Sequence, residues 1–312
     1  MLPPALYPNQ TTIAVATPAS SPKSLEALTA GVSYLQALGY AVKTGRLDFP
    51  RNGYLSGTDE LRADELNGFI ADPEVSAIFC TRGGYGSARI LSRIDYQAAR
   101  ANPKLLVGYS DITALQLALY AQASWKSLSG PMIAVEWGQI DKKSEKQFWQ
   151  FASGAYAPLL QNVTGTPLLP ARQGVVEGTL LGGNLTVLTK LIGTPYLPSL
   201  EGAILFIEDV NEPAYKVDAL LAQLKLSGIW DTLGGLIIGQ FTDEDHPEHT
   251  SPEINEVFQD YCNNVSFPVA SGLRYGHIPV KNSMPIGVRA QLTVKPASAS
   301  LFIREPIVAI PR

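Results

Sequence analysis

Residues 105–119 read LLVGYSDITALQLAL, and this stretch decides the fold of the first half of the chain. Its apolar start predicts a buried strand, the Gly-Tyr-Ser-Asp segment at 108–111 predicts a sharp turn, and the residues that follow carry apolar side chains at helical spacing. A strand that leads through a tight turn straight into a helix is the repeating unit of a parallel α/β sheet.

The same alternation of strand and helix extends back towards the start of the chain. In the first helix, Ser21 is the expected N-cap and Pro22 the first helical residue. The pattern predicts a doubly wound α/β domain, whose turns into helices meet in one crevice beyond the carboxyl ends of the strands. The predicted strands are 11–19, 40–46, 75–84 and 104–110, and the predicted helices are 20–39, 58–72 and 86–94.

A second domain is expected in the other half of the chain. Residues 161–174, QNVTGTPLLPARQG, contain Pro and Gly without clear periodicity, so they are predicted to link a domain at 1–160 to one at 175–312. The second half mixes strand-like stretches with a helix around 215–228, which predicts an α/β domain with a mixed sheet. At 312 residues, of which 46% are hydrophobic, the chain is long enough for two packed cores.

Composition and charge exclude several classes of partner. The net charge is -4 and no run of Lys or Arg occurs, which argues against nucleic acid and against an anionic membrane surface. The first residues lack the pattern of a secretory signal and no apolar run is long enough to cross a bilayer, so a cytoplasmic location without membrane contact is expected. Cys80 and Cys262 are too few for a disulfide framework or a thiolate metal site, and both are expected to be buried.

Ser110 is the first candidate for chemistry. A serine at the apex of a strand-to-helix turn has the geometry of a nucleophile elbow, although Ile112 stands where the usual G-x-S-x-G pattern has its second glycine. The alternative is that Ser110 is only the N-cap of the following helix. A serine nucleophile needs a base and a group that orients the base, so the two interpretations differ in what else the sequence must supply.

The chain has three histidines from which a base could come. His246 and His249 lie in the polar segment TDEDHPEHTSPE, where Pro247 breaks any helix that would bring both rings to one face, so a solvated loop is favoured over a metal site. His277 follows a strand-like segment and lies between Gly276 and a proline, in the kind of loop that holds a general base or a structural histidine.

The orienting carboxylate is expected at the end of the apolar run in GAILFIEDVNEPAY. Glu208 is the first choice and Asp209 the second, because an acid directly after so apolar a strand is costly unless it is paired. A salt bridge, or a helix N-cap made by Asp209, is the alternative.

The segment CTRGGYGSARIL resembles an anion-binding loop between a strand and a helix. No Gly-Lys-Ser/Thr follows, which excludes a P-loop, and Arg89 occupies the third glycine position of a dinucleotide fingerprint. An oxyanion hole and a plain tight turn remain as alternatives. Arg82 and Gly83 are candidates for binding a substrate, Arg82 because a guanidinium can hold a carboxylate.

Several blocks taken together closely resemble the LD-carboxypeptidases, the family of muramoyltetrapeptide carboxypeptidases and microcin-immunity peptidases. The similarity covers almost the whole chain in order, and it implies a serine peptidase of two α/β domains without metal or cofactor. It also implies a triad of Ser110, Glu208 and His277, with an oxyanion hole formed by the backbone N–H groups of Asp111 and Gly84. The blocks are RGGYGSARIL, GYSDITALQ, SGPM, EGTLLGGNLTVLTKLIGTPY, LFIEDVNEPAYKVD and YGH.

The resemblance further implies a substrate. Members of this family remove the terminal D-alanine from murein tetrapeptides during cytoplasmic recycling of cell-wall peptides, and a homodimer is expected from the family. The microcin-immunity branch, which cleaves a peptide-nucleotide conjugate, resembles this chain less, because the segment 180–208 lacks a tryptophan-bearing loop. A non-catalytic protein that clamps a ligand between two domains is the alternative from outside the enzymes.

Overall fold

The computed structural model describes residues 2–46, 53–242 and 253–309. It has two sheets with helices packed against them, and none of the described helices is long and apolar enough to cross a membrane. The strands are β1 Thr12–Ala16, β2 Ala41–Thr44, β3 Val75–Cys80, β4 Leu105–Gly108, β5 Ser127–Ser129, β6 Leu159–Leu160, β7 Leu169–Arg172, β8 Gly174–Asn184, β9 Ile204–Val210, β10 Gly235–Thr242, β11 Val269–Ser271, β12 Met284–Ile286, β13 Val288–Lys295 and β14 Ser298–Ile303. The helices are α1 Leu25–Ala37, α2 Asp59–Ala71, α3 Tyr96–Ala101, α4 Thr113–Ala123, α5 Lys142–Ala152, α6 Leu185–Thr189, α7 Ala214–Leu226, α8 Ile229–Thr232 and α9 Ile254–Cys262.

The first sheet has the strand order β12-β5-β4-β3-β1-β2. Strands β1 to β5 pair in parallel, which confirms the predicted doubly wound arrangement. β3 and β4 are buried almost throughout, as expected for central strands covered by helices on both faces. Consequently, the segments that leave the carboxyl ends of β1, β3 and β4 lie along one edge of the sheet.

The second sheet has the order β6-β14-β13-β8-β9-β10-β11-β7. Its centre, β8 to β11, is parallel, whereas β13, β14, β6 and β7 add antiparallel strands at the sides. The predicted mixed sheet is therefore confirmed. β9 is the buried central strand whose carboxyl end carries the predicted acids.

The chain crosses between the two sheets at more than one point. β6, which precedes the predicted linker, pairs with β14 of the second sheet, and the linker range 161–174 contains the strand β7. β12, from the second half of the chain, returns to the first sheet and pairs antiparallel with β5. These exchanges connect the two sheets to each other.

One local prediction in the first half is wrong. Ser24, not Ser21, caps α1, because the Ser24 hydroxyl accepts a hydrogen bond from Ala27 N at 3.0 Å. The helix predicted at 86–94 is present as a 3-10 helix, Ser87–Arg93. Cys80 is buried as expected, but Cys262 is only half-buried.

Candidate active site

Ser110 lies at the apex of the turn that follows β4, in a backbone conformation with φ of 62°. This left-handed conformation costs a non-glycine residue about 1 kcal/mol or more, and such strain is typical of functional turns. The 3-10 turn 110–112 and α4 after it both lack a side-chain cap. The structure therefore excludes the alternative in which Ser110 serves as a helix N-cap.

Asp111, the residue after the serine, joins this turn to the glycine-rich segment. The Asp111 Oδ2 atom accepts a hydrogen bond from Ser87 N at 2.8 Å, and its carbonyl oxygen accepts one from the Ser87 hydroxyl. Asp111 is 5% exposed, so both bonds are shielded from water. We call residues 108–112 the serine corner.

The glycine loop, residues 81–86, lies against the serine corner after β3. A Cβ atom on Gly83 would lie 3.1 Å from Ser110 Oγ and 3.2 Å from Asp111 N, so a side chain at this position would crowd the serine. Gly84 has φ of 97°, and a Cβ atom there would lie 2.5 Å from Ser20 Oγ. Within the described ranges, Gly84 N donates no hydrogen bond and is therefore available as a donor.

Arg82 forms a hydrogen bond to the segment after β1. Its Nη1 atom donates a hydrogen bond to Ser21 O at 3.1 Å. Gly83 O accepts a bond from Ser20 N at 3.3 Å, and Ser20 Oγ accepts one from Tyr85 N at 3.1 Å. These bonds fix the glycine loop to the segment after β1.

Glu208, at the carboxyl end of β9, forms a pair with His277. The His277 Nδ1 atom lies 2.7 Å from Glu208 Oε2, and the Glu208 side chain is completely buried. Asn184 Nδ2 donates to the other oxygen, Glu208 Oε1, at 3.2 Å. A carboxylate on Nδ1 favours the tautomer with Nδ1 protonated and leaves Nε2 as an acceptor.

Asp209 shares Asn184 with Glu208 but has no contact with His277. Its Oδ1 accepts from Asn184 Nδ2 at 2.8 Å and its Oδ2 accepts from Thr186 N at 2.9 Å, in the first turn of α6. Burial raises the Asp209 pKa, and the negative charge of Glu208 adds to this rise. Of the two predicted acids, the one that contacts His277 is thus Glu208.

The His277 ring packs against the ring of Tyr109, and among the described residues no hydrogen bond joins His277 to Ser110. The two ring centroids are 5.0 Å apart, and Tyr109 directly precedes Ser110 in the chain. Gly276 permits this position, because its φ is 137° and a Cβ atom would lie 3.1 Å from Glu208 Oε2. The His277 side chain is 21% exposed, so it is open to a ligand.

Sequence reasoning missed the polar groups that join the two halves of the site. Glu136 Oε1 accepts hydrogen bonds from the Tyr109 hydroxyl and from Lys281 Nζ, both at 2.7 Å, and Lys281 Nζ lies 3.6 Å from the centroid of the Tyr109 ring. Burial and the Glu136 carboxylate raise the pKa of Tyr109 well above its usual value. The partners are far apart in sequence, so no local pattern indicates them, whereas Asn184 could have been noticed as a polar residue ending an apolar strand.

No cluster of three or more His, Cys, Asp or Glu side chains that could hold a metal occurs among the described residues. His246 and His249 lie outside those residues. A strained serine on a strand-to-helix turn, backbone donors beside it and a buried acid-histidine pair define the class of serine hydrolases with a nucleophile elbow.

Comparison with known proteins narrows this class. The LD-carboxypeptidase N-terminal domain matches residues 13–130, and the LD-carboxypeptidase C-terminal domain matches residues 177–292. A probable murein peptide carboxypeptidase of Bacillus subtilis is 34% identical over 294 residues, which cover 92% of this chain and 90% of the relative. The chain belongs to the LD-carboxypeptidase family, and it is therefore a serine-type carboxypeptidase, not a non-catalytic clamp.

Solved structures with the same fold include both branches of the family. The muramoyltetrapeptide carboxypeptidase from Oxalobacter formigenes aligns with a TM-score of 0.83 and 30% identity, over 97% of this chain and 100% of that one. The microcin C7 self-immunity protein MccF, as an inactive mutant, aligns with a TM-score of 0.88 and 25% identity over 99% of each chain. The sequence identity is thus higher to the muramoyltetrapeptide carboxypeptidase, and the TM-score is higher to the microcin C7 self-immunity protein.

Proposed function

We propose that this protein hydrolyses the L,D peptide bond that releases terminal D-alanine from murein tetrapeptides, with Ser110 as nucleophile, His277 as general base and Glu208 as its orienting acid. The observation that carries the proposal is the 2.7 Å contact between His277 Nδ1 and a fully buried Glu208, beside the ring of the residue that precedes Ser110. A fully buried carboxylate can keep its charge only when it is paired with a group such as the His277 ring.

In the proposed first half-reaction, Ser110 attacks the peptide and His277 acts first as base and then as acid. His277 Nε2 takes the proton of Ser110 as Oγ bonds to the scissile carbonyl carbon, and Glu208 stabilises the imidazolium. The carbonyl oxygen becomes an oxyanion, held by the N–H groups of Asp111 and Gly84, each worth about 3 kcal/mol in comparable sites. The imidazolium returns its proton to the amide nitrogen, the C–N bond breaks and D-alanine leaves.

The second half-reaction restores the enzyme. His277 removes a proton from a water molecule, whose oxygen attacks the ester carbonyl on Ser110, and the same two N–H groups hold the second oxyanion. The Ser110 oxygen leaves with the proton from His277, and the shortened peptide departs with a carboxylate. Gly83 lines the approach to Ser110, and Arg82 stays a proposed contact for the carboxylate of the substrate.

A peptide-nucleotide conjugate is the second candidate substrate, because the fold overlap with the microcin C7 self-immunity protein is high. Against it stands the segment 180–208, which contains no tryptophan. The assay that separates the two measures products by mass spectrometry from L-Ala-γ-D-Glu-meso-diaminopimelyl-D-Ala and from an aspartyl-sulfamoyl-adenosine conjugate. Release of D-alanine is expected; cleavage of the conjugate alone would overturn the proposal.

We place this activity in peptidoglycan recycling in the cytoplasm, and we expect the enzyme to act as a homodimer. Cell fractionation and light scattering of the purified chain test the two points. Activity only outside the cytoplasm or a monomer at assay concentration would contradict them.

A further inference from the structure

Arg62, on α2, is a fully buried arginine that the mechanism above does not use. The exposed fraction of its side chain is 0%, and it is among the largest side chains of the interior. Arginine is almost never fully buried unless its charge is paired and its N–H groups find acceptors. The contacts of this guanidinium therefore indicate what the residue does.

One nitrogen of the Arg62 guanidinium joins two backbone segments. Its Nη1 atom donates a hydrogen bond to Pro18 O, in the segment after β1, and another to Gly86 O at 2.8 Å, at the end of the glycine loop. A Cβ atom on Gly86 would lie 3.0 Å from Nη1, so the guanidinium packs directly against the backbone of the loop. Arg62 thereby ties the glycine loop to the segment after β1.

Asp59 holds the other edge of the guanidinium. Its Oδ1 atom accepts a hydrogen bond from Arg62 Nη2, and its two oxygens also accept from Arg89 Nε at 3.0 Å and Arg89 Nη2 at 2.9 Å. Asp59 lies three residues before Arg62 on the same helix, which is a spacing that brings two side chains together. The Asp59 carboxylate balances the buried charge and fixes the direction in which Nη1 points.

The peptide group between Gly86 and Ser87 connects Arg62 to the serine corner. Its carbonyl oxygen accepts the bond from Arg62, and its N–H group donates to Asp111 Oδ2 at 2.8 Å. Because a peptide group is planar, the two bonds together fix its orientation. A cation on the carbonyl and an anion on the N–H also polarise the peptide in the same direction, so each bond strengthens the other. Arg62 is thus joined to Asp111 through a single peptide group.

We propose that Arg62 is a positioning residue for the oxyanion hole. It fixes Asp111 through that peptide group and restrains Gly84 through the loop that ends at Gly86, so the two proposed N–H donors keep one geometry. This inference rests on the proposed function and adds a residue to it, one that touches neither the substrate nor the reacting atoms.

A positioning role predicts which kinetic constant changes when Arg62 is lost. The donors of an oxyanion hole act on the charge that develops in the transition state, so their displacement lowers kcat and has little effect on the binding of the substrate. Removal of one donor lowers kcat about 10²- to 10³-fold in comparable sites, and displacement of the donors in Arg62→Met should lower it about 10- to 100-fold. A purely structural role would reduce the fraction of folded protein and leave kcat per folded molecule unchanged.

The test compares two ligands on the full chain, by calorimetry in proteins that also carry Ser110→Ala and therefore cannot turn them over. One ligand is the tetrapeptide L-Ala-γ-D-Glu-meso-diaminopimelyl-D-Ala. The other is its phosphonate analogue, whose tetrahedral anionic group stands in for the oxyanion. Arg62→Met should raise the Kd of the phosphonate about 10- to 100-fold, in step with the fall in kcat, and should change the Kd of the tetrapeptide less than about threefold.

Arg93→Met is the matched control. Arg93 ends the 3-10 helix 87–93 and pairs with Glu60 of α2 at the surface, so the same substitution breaks an ion pair between the same two elements without loss of a bond to the glycine loop. Its kcat and both Kd values should equal those of the wild type.

Arg62→Lys is the conservative variant. A lysine keeps the buried charge and can donate to a backbone carbonyl, but it lacks the planar fork that bonds Asp59 and both carbonyls at once. The selective loss should therefore be intermediate, about three- to tenfold in kcat and in the Kd of the phosphonate.

A folded Arg62→Met protein whose kcat and phosphonate Kd lie within about threefold of the wild type would overturn the proposal. An equal rise in both Kd values would also overturn it, because Arg62 would then act on substrate binding as a whole. If Arg62→Met does not fold, Arg62→Lys decides: wild-type affinity for the phosphonate overturns the proposal, and a selective loss supports it. Failure of the wild type to release D-alanine would instead refute the proposed function.

Discussion

The two halves of the candidate site are held in place by different means. The serine corner depends on the backbone: Ser110 has φ of 62°, Gly83 lies against its side chain, and the hydrogen bonds that fix the corner belong to Asp111 and Ser87. The half around Glu208 depends instead on charged and amide side chains that bond to one another in a buried environment. Substitutions that add side-chain volume should therefore be most damaging around Ser110. Substitutions that remove a charge should be most damaging around Glu208.

The largest expected effect tests the charge side of this comparison. Glu208→Gln keeps the shape but removes the charge that stabilises the His277 imidazolium, so kcat should fall about 10³- to 10⁴-fold. Asp209→Asn is the matched change one residue along the strand and should cost less than about tenfold, because Asp209 contacts Asn184 and Thr186 and not His277. Steady-state kinetics on both variants provide the measurement, and equal losses would show that the two acids have no separate roles.

The next effect tests the volume side. Gly83→Ala places a methyl group 3.1 Å from Ser110 Oγ, and a displacement of the nucleophile should lower kcat about 100-fold. Gly68→Ala in α2 is the control, since a Cβ atom there meets nothing within 4 Å; activity should be full and stability higher by about 0.5 to 1 kcal/mol. Unchanged kcat in Gly83→Ala would mean that the loop gives way and that volume is not critical.

A smaller effect concerns the strain stored at Ser110. Glycine adopts φ of 62° freely, so Ser110→Gly should be more stable than Ser110→Ala by about 0.5 to 1 kcal/mol, after the greater chain entropy of glycine is subtracted. Urea unfolding of the two inactive variants provides the comparison. If Ser110→Ala is at least as stable, the corner is not strained.

The smallest effect is the pH dependence of stability from Asp209. Its pKa is raised in the fold, so between its unfolded and folded pKa values the native state binds more protons and stability falls as pH rises. Below the unfolded pKa, Asp209 is protonated in both states, so stability no longer changes with pH. The free energy of unfolding of the wild type relative to Asp209→Asn should thus decline from about pH 4 upwards in urea titrations. A difference that rises with pH would mean that Asp209 is stabilised as a charged group.

The parts of the fold that sequence could predict are those with local signals. The strand-turn-helix pattern around Ser110 and the acids after an apolar strand both depend on neighbouring residues. Because the chain has only three histidines, the choice of base lay between His277 and the two histidines of one polar segment. Whether Ser110 is a helix N-cap could be decided only from the structure, because the decision depends on its backbone angle and on the absence of a side-chain cap at α4.

The remaining features depend on contacts between distant parts of the chain. Strand β12 has three residues and joins the first sheet only because β5 offers a free edge. Lys281 and Glu136 are separated by 145 positions, so no spacing rule connects them. The error at the N-terminus of α1 has a simpler cause. Ser21 and Ser24 both precede the helix, and Pro22 favoured Ser21 because proline is common at the first helical position.

The role of Ser110 is tested most directly by the rate of D-alanine release by the wild type and by Ser110→Ala, measured by mass spectrometry on proteins with matching thermal unfolding. We expect release by the wild type and a loss of about 10⁴-fold or more in the variant, because the acyl-enzyme cannot form. Release by Ser110→Ala within tenfold of the wild type would show that Ser110 is not the nucleophile.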